Sequence, residues 1–229
     1  MNEASKNWKK IALIVAGGKG ERMQGAVPKQ FIPIHDRPVL YYTIKRFLDA
    51  YIDMQVVLVL PEANLAAGKS IVSTYFPGAP VQFAEGGATR FHSVQNGLQL
   101  IGGDAVIFVH DGVRCLTDRE LIHRCYEQAL GKGSAIPVIE FRDSVRITTP
   151  EGNQPMDRTA LKLVQTPQTF LSTILLPAYQ QKYRPEFTDD ATVVEAAGHK
   201  VHLTEGSAEN IKLTLPIDLV VAAELLPKK

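Results

Sequence analysis

IALIVAGGKGERM, residues 11–23, decides how the rest of the chain is read. Ile11 to Val15 is a short continuous apolar run, broken at once by Gly17-Gly18. Such a run suits a strand of a parallel sheet covered on both faces. Ala16 to Met23 then supplies Gly17, Gly18 and Gly20 with the cations Lys19 and Arg22, and Pro28-Lys29-Gln30 adds another cation. In an open α/β sheet, ligands bind outside the carboxyl ends of the strands. Glycines there let backbone N–H groups approach phosphate oxygens that a side chain would block. The segment therefore predicts a phosphate-binding turn. It is neither of two common kinds. A Walker loop needs Ser or Thr after its Lys, and Gly20 follows Lys19; a dinucleotide fingerprint needs a third Gly where Met23 stands.

Outward from this turn the pattern repeats. Val56 to Leu60 (VVLVL) and Ala105 to Val109 (AVIFV) read as further buried strands. Between them, residues 39–50 (VLYYTIKRFLDA) and 89–101 (TRFHSVQNGLQLI) place apolar side chains at three- and four-residue spacing, as amphipathic helices do. Pro61-Glu62 marks a helix start after one strand, and Thr117-Asp118 followed by Glu120 reads as an N-cap with an acidic first turn. Strands alternating with helices predict an α/β fold: a Rossmann-like three-layer sandwich with a mostly parallel sheet.

Residues 140–165 break the rhythm. The stretch alternates apolar and polar residues on both sides of Pro150-Glu151-Gly152-Asn153, a strong turn signal. It predicts a β-hairpin arm protruding from the sheet. Val145, Ile147, Leu161 and Leu163 on such an arm need cover, because an isolated hairpin is marginal in water. A second subunit would supply it. Beyond the arm, VHLTEG and NIKLT read as β-like, and PIDLVVAAELL reads as a closing helix.

Composition narrows the function. The 229 residues carry 25 Lys plus Arg against 24 Asp plus Glu, a formal net charge of +1. Nucleic-acid binding through phosphate neutralisation calls for a clear basic excess, so that class is disfavoured, whereas a small anion needs only local cations. Cys115 and Cys125 fit no zinc or redox spacing and suggest a reduced, cytoplasmic setting. The six histidines show no metal-ligand spacing, and His110 reads as structural. No apolar run reaches membrane-spanning length, and there is no internal repeat or linker.

The chemistry suggested by a glycine turn with Arg22 and Lys29 is nucleotidyl transfer, which asks a protein chiefly for positioning and for stabilisation of spreading negative charge. The signature Ala16-Gly-Gly-x-Gly-x-Arg-Met, followed by Pro28-Lys29-Gln30, resembles that of the pyrophosphorylase-type nucleotidyltransferases. Further motifs are Gly86-Gly87, Val109-His110-Asp111 to Arg114, Thr166-Pro167-Gln168-Thr169-Phe170, Thr188-Asp189-Asp190-Ala191 and Glu209-Asn210-Ile211-Lys212. In this order they resemble the 2-C-methyl-D-erythritol 4-phosphate cytidylyltransferase family, from about Ile11 to Leu225.

That resemblance implies a single nucleotidyltransferase domain over residues 1–229, with 140–165 as a dimerisation arm. It implies transfer of CMP from CTP to a polyol phosphate, with Mg²⁺ held mainly by CTP phosphates near Asp111. By the same resemblance Arg22 and Lys29 stabilise the transition state, and Arg158 and Lys212 position the substrate phosphate. Ala16, Gly17, Gly18, Gly87, Ser93 and Asp111 would bind CTP; Arg114, Ser144 and Thr166 would contact the polyol phosphate. Ser144 stands where the family has Thr, which keeps the hydroxyl. Arg158 lies on the arm, so it would complete the neighbouring subunit's site in a homodimer.

Two departures lean towards the related ribitol 5-phosphate cytidylyltransferases: Gly17 where the family has Ala, and Gly112-Val113-Arg114-Cys115 where it has Ala-Ala-Arg-Pro. Thr188 to Glu195 and the Glu209-to-Lys212 run lean back to the erythritol enzyme. A metal-dependent glycosyltransferase would need Asp-x-Asp after a strand, and none stands there. A non-catalytic nucleotide sensor would not need Arg22, Lys29 and Lys212 together.

Overall fold

The computed structural model describes residues 8–18 and 27–228. It begins with β1 (Lys9–Val15) and resumes with a 3-10 turn at Lys29–Phe31. A small ribbon of β2 (Pro33–Ile34) and β3 (Arg37–Pro38) leads into α1 (Val39–Ala50). The alternation continues through β4 (Met54–Leu60), α2 (Leu65–Tyr75), β5 (Val81–Glu85), α3 (Arg90–Leu98) and β6 (Ala105–Asp111). Next come α4 (Arg119–Lys132), β7 (Ser134–Glu140), the hairpin β8 (Val145–Thr149) and β9 (Gly152–Met156), and β10 (Lys162–Val164). The last elements are β11 (Gln168–Leu171), α5 (Ser172–Ala178), α6 (Asp190–Ala196), β12 (Leu203–Glu205) and α7 (Pro216–Leu225).

The main sheet runs β10-β7-β11-β6-β1-β4-β5, with β12 also paired to β7. β5, β4, β1 and β6 are parallel, while β11 runs antiparallel between β6 and β7. Side chains alternate across the sheet and build a core on each face. Ala12, Ile14, Leu58, Val106 and Phe108 pack into one core with Phe47 of α1 and Leu121 of α4. Ile11, Leu13, Val57, Val59, Ile107 and Val109 pack into the other with Val94 of α3 and Leu175 of α5. This is the expected three-layer sandwich.

Local signals act where they were read. Asp118 accepts the Leu121 backbone N–H at 2.6 Å and caps α4, which ends at Gly133 in the left-handed region, φ 85°. Two expectations change. Residues 211–214, read as β-like, belong to neither a strand nor a helix, because Leu213 N–H bonds the loop carbonyl of Val113 instead of a sheet ladder. The stretch 140–165 also does not leave the sheet whole. Only the β8–β9 ribbon stands apart, while Lys162–Val164 returns to pair with Val138–Glu140 of β7. Val145 and Leu161 are half-buried; Ile147 and Leu163 remain exposed.

Candidate active site

Strand order reverses around β1: α1 carries the chain to β4 on one side, and β6 lies on the other. Such a switch point opens a crevice at the carboxyl ends of the strands. Val15 is in register with Asp111 there, and Gly112 N–H bonds Val15 O at 2.9 Å. A Cβ on Gly112 would come within 2.7 Å of the Ala16 Cβ, so the two strand exits approach each other only with glycine at this position. Ala16 N–H bonds Val59 O at 2.9 Å, and the buried Gln30 side chain donates to Ala16 O at 2.8 Å. Among the described residues, Cβ atoms on Gly17 and Gly18 would meet nothing within 4 Å. Lys29 Nζ donates to Leu213 O at 3.1 Å, which brings the turn after β1 beside the segment holding Lys212. Arg22, with Lys19 and Gly20, lies outside the described residues.

One side of the crevice is the start of α3. Gly87 N–H donates to Ser93 Oγ at 3.0 Å, and Ser93 Oγ donates to Thr89 O at 2.9 Å. Ser93 thus makes the local helix bond that any buried Ser can make, and it also holds Gly87. A Cβ at Gly87 would lie 2.9 Å from the His92 carbonyl carbon, a contact only glycine avoids.

Asp111, at the tip of β6, is the electrostatic centre. Its Oδ2 lies 3.1 Å from Lys212 Nζ and 3.3 Å from Arg114 Nε, and its Oδ1 lies 3.7 Å from Arg90 Nε. Burial by itself would push the carboxyl pKa up; Arg90, Lys212 and Arg114 together hold it well below the usual carboxylate range. Arg114 is buried, with its own pKa lowered by burial, and is not a solvated surface cation. Arg90 in turn grips Asp190, Nη1 to Oδ1 at 2.9 Å and Nη2 to Oδ2 at 2.7 Å. Asp190 is fully buried and also accepts the Tyr179 hydroxyl at 2.6 Å.

Behind the carboxylate runs a neutral network. Thr166 Oγ1 accepts Asp111 N–H at 3.1 Å and sits 3.1 Å from His110 Nδ1; His110 Nε2 lies 3.1 Å from Arg114 O. Burial lowers the His110 pKa to about 4, which keeps the ring neutral and structural, as expected. Asn210 joins this network through Thr117, Thr166 and Arg114. The Thr166-Pro167 peptide is cis.

Ala16, Gly17, Gly18, Lys29, Asp111, Arg114, Thr166 and Lys212 therefore gather at one edge of the sheet, with Gly87 and Ser93 on the α3 side. Two predicted residues are elsewhere. Ser144 is exposed on the arm, and the Arg158 guanidinium donates to the Arg142 carbonyl, also on the arm. Neither is bonded to the Asp111 cluster. A surface cleft of about 200 Å³ lined by His35, Arg37, Tyr41 and Tyr42 contains none of the predicted residues. Among the described residues, no three His, Cys, Asp or Glu side chains group to hold a metal ion.

Residues 10–228 match the family described as "IspD: 2-C-methyl-D-erythritol 4-phosphate cytidylyltransferase". The chain belongs to this family. A relative from Phocaeicola vulgatus, named 2-C-methyl-D-erythritol 4-phosphate cytidylyltransferase, is 49% identical over 214 residues, covering 93% of this chain and 98% of the relative. A relative of the same name from Clostridium perfringens is 35% identical over 219 residues, with 93% and 97% covered. A crystal structure titled 4-diphosphocytidyl-2C-methyl-D-erythritol synthase superposes with a TM-score of 0.80 at 31% identity, covering 97% of this chain and all of that one. The cytidylyltransferase structure from Thermus thermophilus gives 0.74 at 31%, covering 94% and 98%.

Within the cytidylyltransferase fold, Arg90, Asp190 and Asn210 join the network around Asp111 although the sequence reading gave them no role. Arg90 carried a clue: a cation in the first turn of a helix opposes the helix dipole and needs a carboxylate nearby. Asp190 and Asn210 lay within quoted motifs, but spacing alone does not reveal partners so far away in sequence.

Proposed function

We propose that this chain transfers CMP from CTP to 2-C-methyl-D-erythritol 4-phosphate, giving CDP-methylerythritol and pyrophosphate in non-mevalonate isoprenoid synthesis. The observation that carries this reading is the Asp111–Arg114–Lys212 cluster beside the glycine turn and Lys29, in a chain matched to the family over residues 10–228. An oxygen of the substrate phosphate attacks the α-phosphorus of CTP. The bond from that phosphorus to the bridging oxygen of the β-phosphate breaks, and pyrophosphate leaves with the electron pair.

Backbone groups of Ala16, Gly17 and Gly18 hold the triphosphate; among the described residues, the space beside both glycines supports this role. Gly87 and Ser93 read the cytosine edge, and Asp111 lies beside ribose and phosphates. Lys29 and Arg22 stabilise charge as the transferring phosphorus gains a fifth oxygen ligand. Lys212 and Arg158 position the attacking phosphate, with Arg114, Ser144 and Thr166 around the polyol. Because Arg158 and Ser144 sit on the exposed ribbon region, we assign them to the site of a second subunit, reached through the 140–165 arm of a homodimer.

Mg²⁺ fits this site in a limited way. Asp111 is a carboxylate already faced by three cations, so the ion would be held by CTP phosphate oxygens and water, which suits its preference for few protein carboxylates. Bound there, it would neutralise phosphate charge. The chain works as one domain in the cytoplasm, a placement supported by two free, buried thiols. Among the described residues, no helix is long and apolar enough to cross a membrane. Initial rates of pyrophosphate release from CTP test the proposal, with 2-C-methyl-D-erythritol 4-phosphate and ribitol 5-phosphate compared as acceptors. A clear preference for the erythritol compound is expected. A preference for ribitol 5-phosphate would transfer the assignment to the reading favoured by Gly17 and Gly112.

A further inference from the structure

Asn210 is completely buried, and every polar atom of its side chain is used. Its Nδ2 donates to Thr166 O at 2.8 Å, and its Oδ1 accepts the Thr117 hydroxyl at 2.7 Å. Its backbone carbonyl accepts Arg114 Nη1 at 2.8 Å. Gln165 adds longer contacts to the Asn210 amide and carbonyl, each at 3.4 Å. One residue therefore joins the loop after β6, the cis Thr166-Pro167 corner and the irregular segment carrying Lys212. That segment has no ladder to fix it: besides the Asn210 contacts it is held by the Leu213 N–H bond to Val113 O, the Lys29 bond to Leu213 O, the Lys212–Asp111 ion pair and the Thr214 N–H bond to Asp218 Oδ2. The residues so connected, Arg114, Thr166 and Lys212, are those proposed to face the polyol phosphate. Among the described residues, no hydrogen bond links Asn210 to Ala16, Gly17, Gly18, Gly87 or Ser93.

We infer that Asn210 is a positioning residue for the polyol-phosphate half of the site: its buried amide and carbonyl set Lys212, Arg114 and Thr166 relative to one another without touching substrate. The inference rests on the proposed assignment of those three residues. A buried amide satisfied on both ends fixes orientation, because any rotation leaves a donor or acceptor unpaired. The neighbouring apolar residues, Ile211 and Leu213, could anchor the segment to the core without choosing this orientation. The amide supplies the choice.

The test is steady-state kinetics on the full chain for Asn210→Asp, Asn210→Ala, Lys212→Ala and the double variant Asn210→Ala/Lys212→Ala, with melting temperatures measured alongside. Asn210→Asp keeps the side-chain shape and the acceptor for Thr117 but loses the donor to Thr166, so it reports even where the alanine variant folds poorly. Both Asn210 variants are expected to raise KM for 2-C-methyl-D-erythritol 4-phosphate about tenfold or more and to leave KM for CTP within about threefold. In the Lys212→Ala background, Asn210→Ala is expected to add less than about threefold, since coupled residues are not additive. A lowered melting temperature with both KM values unchanged would make Asn210 purely structural and overturn the inference. So would equal rises in both KM values, or losses that multiply in the double variant. If Lys212→Ala alone leaves the polyol-phosphate KM unchanged, the assignment of Lys212 fails and takes this inference with it. If Lys212→Ala raises that KM and the Asn210 variants do not, the inference alone fails.

Discussion

Arg90 and Asp190, a hundred residues apart in sequence, form a two-pronged ion pair with contacts of 2.9 and 2.7 Å. The pair joins the first residue of α3 to the first residue of α6 and leaves Arg90 Nε facing Asp111 Oδ1 at 3.7 Å. The helix that carries Ser93 is thereby tied to the strand tip that carries Asp111.

Removing the buried carboxylate leaves Arg90 with the longer 3.7 Å contact to Asp111 and takes the acceptor from the Tyr179 hydroxyl. Breaking one side of such a pair typically costs about 3 kcal/mol or more. Asp190→Ala is expected to lower the urea-unfolding free energy by that order. A loss below about 1 kcal/mol would show that the pair does not hold α3 and α6 together.

His110 gives the stability a pH dependence of defined sign. Its folded pKa is about 4 because of burial, against about 6.5 for an ordinary histidine. Between these values the unfolded chain takes up a proton that the folded chain refuses, so stability falls as pH drops from about 6.5 to 4. The contribution amounts to about 3 kcal/mol across the window. Replacing the ring in His110→Gln should flatten the unfolding free energy against pH over this range; profiles parallel to wild type would contradict the assignment.

Lys29 and Arg22 are assigned to the transition state, so their loss belongs in kcat. Lys29→Ala and Arg22→Ala are each expected to lower kcat about a hundredfold or more, with a smaller change in KM for the polyol phosphate. Stopped assays of pyrophosphate release would read both constants. A variant with near-normal kcat would remove that residue from the chemistry.

The arm carries a separate prediction. Two inactive proteins, Arg158→Ala and Lys29→Ala, are mixed under conditions that allow subunit exchange. In a shared-site homodimer, some mixed dimers combine both lesions in one site and leave the other intact, so activity returns. Confirmed exchange without activity would confine Arg158 to its own chain or exclude it from the reaction.

Much of the fold was legible because its signals are local. Ile11 to Val15, Val56 to Leu60 and Ala105 to Val109 are continuous apolar runs that only a covered sheet accommodates, and Asp118 stands where an N-cap is needed. The antiparallel placement of β11 and the return of β10 to β7 depend on distant pairing, which no periodicity encodes. NIKLT misled because its alternation imitates a strand, while Asn210 is spent on side-chain bonds to Thr117 and Thr166. In the site, Asp111 closes the buried strand that begins at Ala105, where a carboxylate needs a partner, but the sequence does not say which cations supply it. Arg90 gave no address for its partner, since Asp190 becomes a neighbour only when the fold brings the start of α6 to the start of α3.

The account's central claim is direct attack of the substrate phosphate on the α-phosphorus of CTP, and isotope tracing tests it most directly. The protein is incubated with CTP, Mg²⁺ and 2-C-methyl-D-erythritol 4-phosphate carrying ¹⁸O in its phosphate, and the products are analysed by ³¹P NMR and mass spectrometry. All label is predicted to remain in CDP-methylerythritol, including the oxygen bridging its two phosphorus atoms, with unlabelled pyrophosphate formed in equal amount. Label in pyrophosphate, or pyrophosphate released with CMP and no CDP-alcohol, would contradict the account.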